Sequence, residues 1–250
     1  MKDAQKILIL CGNEAPAVAA ANVYASLLGD RELRFAEERV ISLGRSLSFS
    51  LKRLKSKGLF SLLGCYAYYL HTFIRGEKTI PRRYRPVCRT ADFSTDAAVA
   101  RLVDEFRPDL AIIGFCGVFS PEFLRRFTCP VINVHPGINP RYRGLGNIWA
   151  FYEKNPGCTG FTIHEVDEGM DTGRRIDVGR LDFSGTDFED MDILAATRAA
   201  ERLAALIRGR ALPHIPEEFK NLESRFYGVP TLGQYCKARR NYRLLRAGES

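Results

Sequence analysis

Four short apolar runs, separated by segments with helical patterns, constrain the fold of this chain most strongly. The runs cover residues 6–11, 110–115, 131–135 and 160–164. Apolar runs of this length are typical of buried strands in a parallel sheet. Strands that alternate with helices predict an α/β fold, a doubly wound and mainly parallel sheet of the Rossmann-like kind with helices on both faces.

Helical patterns fill the intervals between these runs. We expect helices over residues 15–28, 94–106, 120–127, 146–153 and 188–208. Ser94 or Thr95 is the expected cap of the second, and Ser120, followed by a proline, of the third. The chain is therefore predicted to form one domain over residues 1–212, followed by a polar and basic C-terminal tail, 213–250, that packs on it without being an independent domain.

The positive charge of the chain is concentrated in one segment. The net charge is +8, yet residues 45–90 alone hold 11 Lys and Arg against one acid, Glu77. Leu47, Leu51 and Leu54 recur there at helical spacing, so we predict a basic helical insertion. Its partner could be a phosphate, an anionic membrane surface, a partner in a polysaccharide assembly system, or solvent alone. Nucleic acid is not expected, because no aromatic-interleaved recognition motif accompanies the charge.

Composition indicates an ordinary globular protein. Hydrophobic residues make up 46% and charged residues 26% of the chain. The seven cysteines are odd in number and form no C-x-x-C pair, which favours a reducing compartment over a disulfide framework or a zinc site. The first strand follows closely on Met1, and the apolar stretch 59–74 is interrupted by His71. We therefore expect a cytoplasmic protein without a signal peptide, a membrane span or a metal.

Two polar residues end the third apolar run. Asn133 and His135 are two positions apart and point to the same face of a strand. Ligand sites in open α/β sheets lie outside the carboxyl ends of the strands. The acidic, glycine-punctuated loop 166–173, which follows another strand, can deliver Asp171 to the same edge. We therefore expect these three side chains to meet.

An amide, an imidazole and a carboxylate suit an acyl-transfer site. The amide of Asn133 can donate to a developing oxyanion, His135 can handle a proton near neutral pH, and Asp171 can orient the imidazole. No serine or cysteine nucleophile adjoins the histidine, so direct attack by a substrate amine is the more natural chemistry. The alternative is structural, with Asn133 and His135 bonding loop backbone and Asp171 serving as a turn residue.

The surrounding sequence resembles the folate-dependent formyltransferase family. The resemblance is carried by INVHPGINP at 132–140, by Arg143-Gly144, and by TGFTIHEVDEGMDTG at 159–173. The family includes glycinamide ribonucleotide formyltransferase, methionyl-tRNA formyltransferase and the sugar N-formyltransferases, and its hallmark is an Asn-x-His pair followed by an Asp in a D-x-G loop. Gly137, where many members have Ser, and Asn139, where Leu is common, depart from the pattern.

The resemblance implies a formyl donor and its pocket. The donor would be 10-formyltetrahydrofolate, and the catalytic residues would be Asn133, His135 and Asp171, without a metal. The walls of the pterin pocket would be formed by two stretches, which comprise Phe115, Cys116, Gly117 and Val118 on one side and Val166, Asp167 and Gly169 on the other. His164 matches a position near the acceptor, although a structural role in its strand is equally compatible.

The acceptor amine is less constrained. Gly12 and Asn13 resemble the phosphate-binding loop of the ribonucleotide enzymes, but Glu14 would repel a phosphate. Only about 40 residues follow the last expected helix, fewer than an RNA-binding domain needs. A nucleotide-linked amino sugar fits best, with Arg141 and Arg143 near its diphosphate. Glycinamide ribonucleotide and a formyltetrahydrofolate hydrolase are the alternatives, and the oligomeric state, for which a homodimer is one option, stays open.

Overall fold

The computed structural model describes residues 1–2, 4–39, 43–75, 79–93, 95–117 and 119–248, with the backbone alone at 43–47 and 75. Two expected residues, the helix cap Ser94 and the pocket residue Val118, lie outside the described residues. No helix among the described residues is long and apolar enough to cross a membrane.

Nine strands are seen in the described part of the chain, and seven of them form one sheet. Its order is β3-β2-β1-β4-β5-β7-β8. Pairing is parallel from β3 to β5 and antiparallel from β5 through β7 to β8. The strands are β1 (Lys6–Gly12), β2 (Glu32–Glu38), β3 (Cys88–Thr90), β4 (Leu110–Gly114), β5 (Val131–His135), β6 (Arg143–Gly144), β7 (Gly160–Glu165), β8 (Arg175–Arg180) and β9 (Phe226–Tyr227).

Helices cover both faces of this sheet, which confirms the predicted α/β fold with a mainly parallel sheet. Ile7 and Ile9 of β1 join the core under α1 and α6, whereas Leu8 and Leu10 join the core on the opposite face. The helices are α1 (Ala15–Leu27), α2 (Leu43–Arg75), α3 (Ala97–Phe106), α4 (Pro121–Leu124), α5 (Gly146–Tyr152), α6 (Met191–Ile207) and α7 (Leu232–Ala247).

Several elements differ from the sequence expectations or were not anticipated. The strands β2, β3 and β8 carry too many charged residues to be recognised as apolar runs. β8 tolerates its buried Asp177 because Arg202 of α6 binds both carboxylate oxygens, at 3.0 and 2.8 Å. The side chain that caps α3 belongs to Asp96, which accepts from the amides of Ala98 and Val99, rather than to Thr95.

The C-terminal segment adds to the same core. Tyr235, Ala238 and Tyr242 of α7 are buried in the cluster that also holds α1 and α6. A capping box between Thr231 and Gln234 begins this helix. The expectation that residues 213–250 pack on the domain without folding independently stays a prediction, to which these contacts lend support.

Candidate active site

Three polar side chains lie side by side at the carboxyl end of β5, two from β5 and one from β7. Asn133 and His135 lie on one face of β5, and the antiparallel register places His164 of β7 directly opposite Asn133. The amide Nδ2 of Asn133 lies 3.0 Å from Nε2 of His164. His164 Nδ1 lies 2.7 Å from the carbonyl oxygen of Glu165, so Nδ1 donates there. The strand pairing thus fixes the orientation of both side chains.

The loop after β7 delivers Asp171 to this group. Asp167 Oδ1 accepts from the amide of Gly169 at 3.1 Å and from the hydroxyl of Thr172 at 2.7 Å, which closes the loop on itself. Asp171 adopts a left-handed backbone with φ 54°, a conformation that aspartate tolerates better than most residues. The carboxylate of Asp171 is thereby turned inward, towards β5.

Both oxygens of the Asp171 carboxylate are engaged. Oδ1 accepts from Asn133 Nδ2 at 3.2 Å and lies 3.6 Å from His164 Nε2. Oδ2 accepts from the amide of Gly144 at 2.8 Å and lies 3.4 Å from His135 Nδ1. Asp171 is therefore the centre of the cluster, in contact with all three polar side chains of β5 and β7.

The electrostatics of the cluster follow from burial and charge. Burial raises the pKa of Asp171, but the charge of His135, the side chain of His164 and the Gly144 amide outweigh it and lower that pKa to about 2. Burial lowers the pKa of His135 below its ordinary value, and Asp171 and the Tyr142 carbonyl offset only part of this. At neutral pH the cluster thus contains a carboxylate and a neutral imidazole.

The ring of His135 is enclosed by protein. It is 3% exposed, and its Nε2 lies 2.8 Å from the carbonyl oxygen of Tyr142. A Cβ atom at Gly137 would meet Nε2 at 2.7 Å, so the glycine lets the turn after β5 close over the ring. Both ring nitrogens therefore face protein acceptors, and the ring communicates with the rest of the cluster through Asp171.

A cavity of about 960 Å³ opens at this edge of the sheet. Its apolar wall is formed by Ile113, Phe115, Cys116, Phe119, Leu124, Val166 and Met170. Most of the residues expected at the site line it, namely Gly12, Phe115, Cys116, Gly117, Asn133, His135, His164, Val166, Asp167, Gly169 and Asp171. The cavity brings together the two stretches expected to enclose a pterin ring and the three residues expected to be catalytic.

Three residues expected to bind the acceptor lie outside the lining of this cavity: Asn13, Arg141 and Arg143. Arg141 is paired with Glu153 at 3.3 Å and with Glu223 at 3.0 Å. Arg143 Nη1 donates to the carbonyl oxygen of Met170 at 3.2 Å, so it holds the Asp171 loop. These contacts assign positioning work to the two arginines.

No group of three or more His, Cys, Asp or Glu side chains suited to a metal ion occurs among the described residues. The cluster around Asp171 is instead connected by hydrogen bonds from an amide and a backbone N–H, contacts that suit proton handling and oxyanion binding.

Comparison with known proteins identifies the family. The model of the formyl transferase family matches residues 75–204, which is just over half of the chain. The chain belongs to the formyl transferase family. The matched segment contains Asn133, His135, His164 and Asp171, so the whole polar cluster lies within the part of the chain that matches the family.

Sequence relatives include a methionyl-tRNA formyltransferase and a trifunctional purine biosynthetic protein. The chain is 30% identical over 138 residues to methionyl-tRNA formyltransferase of Ralstonia nicotianae, an alignment that covers 52% of this chain and 42% of the relative. It is 34% identical over 124 residues to the trifunctional purine biosynthetic protein adenosine-3 of Drosophila melanogaster, which covers 47% of this chain and 9% of that protein. The chain thus matches less than half the length of these curated relatives.

Solved structures share the fold at low sequence identity. A sugar N-formyltransferase from a Shewanella species has a TM-score of 0.53 at 16% identity, covering 90% of this chain and 77% of that one. Phosphoribosylglycinamide formyltransferase from Streptococcus pneumoniae has a TM-score of 0.51 at 19% identity, covering 82% and 98%. These similarities establish the fold of the family.

Several parts of the cavity wall come from outside the family match, with Gly12, Glu14 and Glu38 among them. Helix α2 contributes Phe49, Lys52, Arg53, Ser56 and Lys57, and the C-terminal segment contributes residues 226–229. Helix α2 and the C-terminal segment are joined, because Arg53 Nη1 donates to the carbonyl oxygen of Val229 at 2.8 Å. Sequence reasoning missed them, since the basic pattern of α2 indicated a surface helix and carried no signal for its position over the site.

Glu38 is a further cavity residue that sequence reasoning missed. It ends β2, is buried, and accepts a 2.5 Å hydrogen bond from the amide of Gly117. This bond fixes the stretch 115–117 that forms one wall of the cavity. The two acidic residues at the end of β2 could have indicated a polar position at the edge of the sheet. This indication depends on recognising β2 as a strand.

Proposed function

We propose that this formyl transferase moves a formyl group from 10-formyltetrahydrofolate to a primary amine. The observation that carries the proposal is the cluster of Asn133, His135, His164 and Asp171 at one end of a cavity of about 960 Å³. The family match over residues 75–204 supports the same chemistry.

The proposed reaction is an acyl transfer from the formyl amide of the donor to an amine, and the residues of the cluster have separate roles in it. The amine nitrogen bonds to the formyl carbon, the bond from that carbon to the folate nitrogen breaks, and the amine proton ends on the leaving nitrogen. Asn133 donates to the oxyanion of the tetrahedral intermediate once its amide turns from Asp171 or His164. Asp171, ionised because its pKa is about 2, stabilises the ammonium that forms on attack and carries its proton.

The role of His135 is to act through Asp171. Its Nδ1 faces Oδ2 of Asp171 at 3.4 Å, and its Nε2 is held by Tyr142. A proton accepted by the carboxylate can pass to this nitrogen, since burial keeps the imidazole neutral and able to accept it. His135 is in this proposal a relay whose partner in the cavity is Asp171.

The apolar half of the cavity suits the donor. A flat pterin ring requires apolar walls and a few backbone partners. Phe115 and Val166 supply such walls, and the backbone at 115–117 is held by Glu38. Gly12 supports the same wall, because a Cβ atom there would meet the Phe115 carbonyl oxygen at 2.1 Å. These features fit 10-formyltetrahydrofolate on the side of β4.

The cationic edge of the cavity suits a phosphorylated acceptor, and we propose a nucleotide-linked amino sugar. Lys52 and Lys57 line the cavity on α2 and can bind a diphosphate. Glu14, at the N-terminus of α1, also lines the cavity and disfavours a phosphate on the Gly12 side. In this proposal the anionic part of the acceptor lies at α2, and its amine is directed to Asp171.

Mass spectrometry tests the proposal directly. Purified protein is incubated with 10-formyltetrahydrofolate and one amine at a time: nucleotide-linked amino sugars, glycinamide ribonucleotide, charged initiator tRNA, and a control without amine. A mass increase of one formyl group on a nucleotide sugar is the expected result. A formylated product from another amine keeps the chemistry and replaces the acceptor.

Two controls separate the transferase from a hydrolase and from contamination. Loss of the formyl group from the donor without any formylated amine would indicate transfer to water. The variant Asp171→Asn, prepared in the same way, should abolish product formation. If this variant formed the product at the rate of the unchanged protein, the activity would belong to a contaminant and the proposal would fail.

A further inference from the structure

The second half of α2 exposes an unusual apolar surface. Gly58 has non-helical backbone angles and divides α2 into two parts. Beyond it, large side chains recur three or four residues apart along one side of the helix and are 41–91% exposed. We call this surface the α2 apolar face, and it consists of Leu59, Phe60, Leu63, Tyr66, Tyr69, Leu70, Phe73 and Ile74.

The opposite side of the same helix is docked on the protein. Cys65 is buried and its thiol lies 3.6 Å from the carbonyl oxygen of Val229. A Cβ atom at Gly64 would meet Thr231 Cβ at 2.9 Å, which shows how closely the helix approaches. The ring of Tyr68 packs on Tyr235 of α7 at 5.2 Å between centroids. The helix is thus fixed to the C-terminal segment and holds its apolar face outward.

The distribution of polarity on this helix is the reverse of that on a solvated surface helix. Ser61, His71 and Thr72 are half-buried, whereas the apolar face is exposed. A surface helix of a globular protein normally buries its apolar side and exposes its polar side. Contiguous exposed apolar surface of this kind marks a site of association.

The charge of the residues next to the α2 apolar face indicates which kind of partner it binds. The part of α2 before Gly58 carries three exposed lysines, Lys52, Lys55 and Lys57, and the sequence 43–75 contains no acidic residue. A second copy of the chain would bring two helices of the same positive sign together across a two-fold axis, which is unfavourable. Anionic lipid headgroups complement the basic residues, while the aromatic and aliphatic side chains enter the boundary between headgroups and acyl chains.

We propose that the α2 apolar face and the basic residues beside it bind an anionic membrane surface. The part of α2 beyond Gly58 would lie in the plane of the interface, with Phe60 and Phe73, 91% and 83% exposed, as its most deeply inserted side chains. Because the first part of α2 lines the cavity, binding would hold the cavity close to the membrane surface. The proposal does not depend on the identity of the acceptor amine.

Vesicle co-sedimentation tests this surface. The full chain is mixed with vesicles of phosphatidylcholine alone or of phosphatidylcholine with phosphatidylglycerol, at low and at raised NaCl. The chain is expected to sediment with the anionic vesicles at low salt and to be released by salt. Failure to sediment with the anionic vesicles, or equal binding to neutral ones, would overturn the proposal.

Variants connect the binding to α2. The triple variant Phe60→Ser, Phe73→Ser, Ile74→Ser should lower the vesicle affinity at least about tenfold, because three inserted apolar side chains are removed. Lys55→Glu, outside the cavity lining, should weaken binding more at low than at high salt. The matched control is Leu212→Ser, which removes an apolar side chain that is 78% exposed outside α2, and it should bind as the unchanged chain does.

Two further measurements keep the outcome unambiguous. Circular dichroism and formyl transfer in solution should be the same for the triple variant and the unchanged chain, because none of its three positions lines the cavity. Light scattering without vesicles reports self-association. A dimer that the triple variant disperses, together with absent vesicle binding, would assign the face to a second copy and overturn the membrane proposal.

Discussion

The Nδ1 atom of His135 lies 3.4 Å from the Oδ2 atom of Asp171, and this contact couples a buried imidazole to the carboxylate that faces the cavity. The contact explains how an enclosed ring can take part in proton transfer. It also predicts that the two residues act as a unit, so that changing both should cost little more than changing one.

The first prediction concerns Asp171. Asp171→Asn keeps the shape of the side chain but removes its charge, so we expect formyl transfer to fall by at least about 100-fold, the scale of a lost proton-transfer group. Single-turnover kinetics measures the effect. His135→Asn should have a comparable effect, and the double variant should not multiply the two losses. Asp104→Asn, which alters an exposed ion pair with Arg126, is the matched control.

The second prediction is a pH dependence of stability. The pKa of His135 is lowered in the folded protein, so the unfolded chain binds its proton more readily. The contribution of the neutral His135 ring to the free energy of unfolding is complete above the ordinary pKa of 6.5 and is lost as the pH falls below it. Asp171, whose pKa falls from 3.8 to about 2, adds a second loss as the pH drops below about 4. Urea unfolding across this range should show stability decreasing towards acid.

A variant of His135 tests whether this residue causes the loss of stability just below pH 6.5. His135→Asn removes the titrating group, so the decline of its unfolding free energy just below pH 6.5 should be shallower. An unchanged slope in His135→Asn would show that another group causes the decline.

The third prediction concerns Gly137. A Cβ atom there would meet His135 Nε2 at 2.7 Å and the Tyr142 carbonyl oxygen at 2.8 Å. Gly137→Ala should therefore displace the ring, cost about 1–3 kcal/mol of stability as overpacked sites do, and reduce formyl transfer. Thermal unfolding and kinetics test it together. Gly233→Ala, a helical position with open space around it, should be neutral or slightly stabilising.

The fourth prediction distinguishes acceptor binding at α2 from the chemistry at the polar cluster. Lys52→Gln with Lys57→Gln should raise the KM for a phosphorylated acceptor about tenfold or more, because charged hydrogen bonds are lost, while kcat changes little. An acceptor sugar without phosphate should show no change. Lys55→Gln, on the same helix but outside the cavity lining, is the control. A fall in kcat with an unchanged KM would contradict a role in acceptor binding.

The sequence predicts the centre of the site better than its periphery. The expected proximity of Asn133 and His135 follows from the alternation of side chains along one buried strand. Asp171 is expected near them because it lies in a glycine-rich loop that follows the next apolar run. These relations are local or concern neighbouring strands. The antiparallel β7, which places His164 opposite Asn133, could not be inferred because apolar runs do not carry strand direction.

The periphery depends on contacts between distant parts of the chain. Lys52 and Lys57 reach the cavity only because α2 docks on the C-terminal segment, through bonds such as that from Arg53 to Val229. A basic amphipathic pattern predicts the helix but not its place. Arg141 and Arg143 illustrate the converse, since adjacency to β5 in sequence suggested binding, whereas their guanidinium groups bond to Glu153 and Met170.

The bond between Arg53 and Val229 joins residues 176 positions apart. During synthesis on a ribosome, β5 and the loop that carries Asp171 emerge well before residues 226–229. The wall that α2 and residues 226–229 form together can therefore close only after the segment that carries the polar cluster has been synthesised.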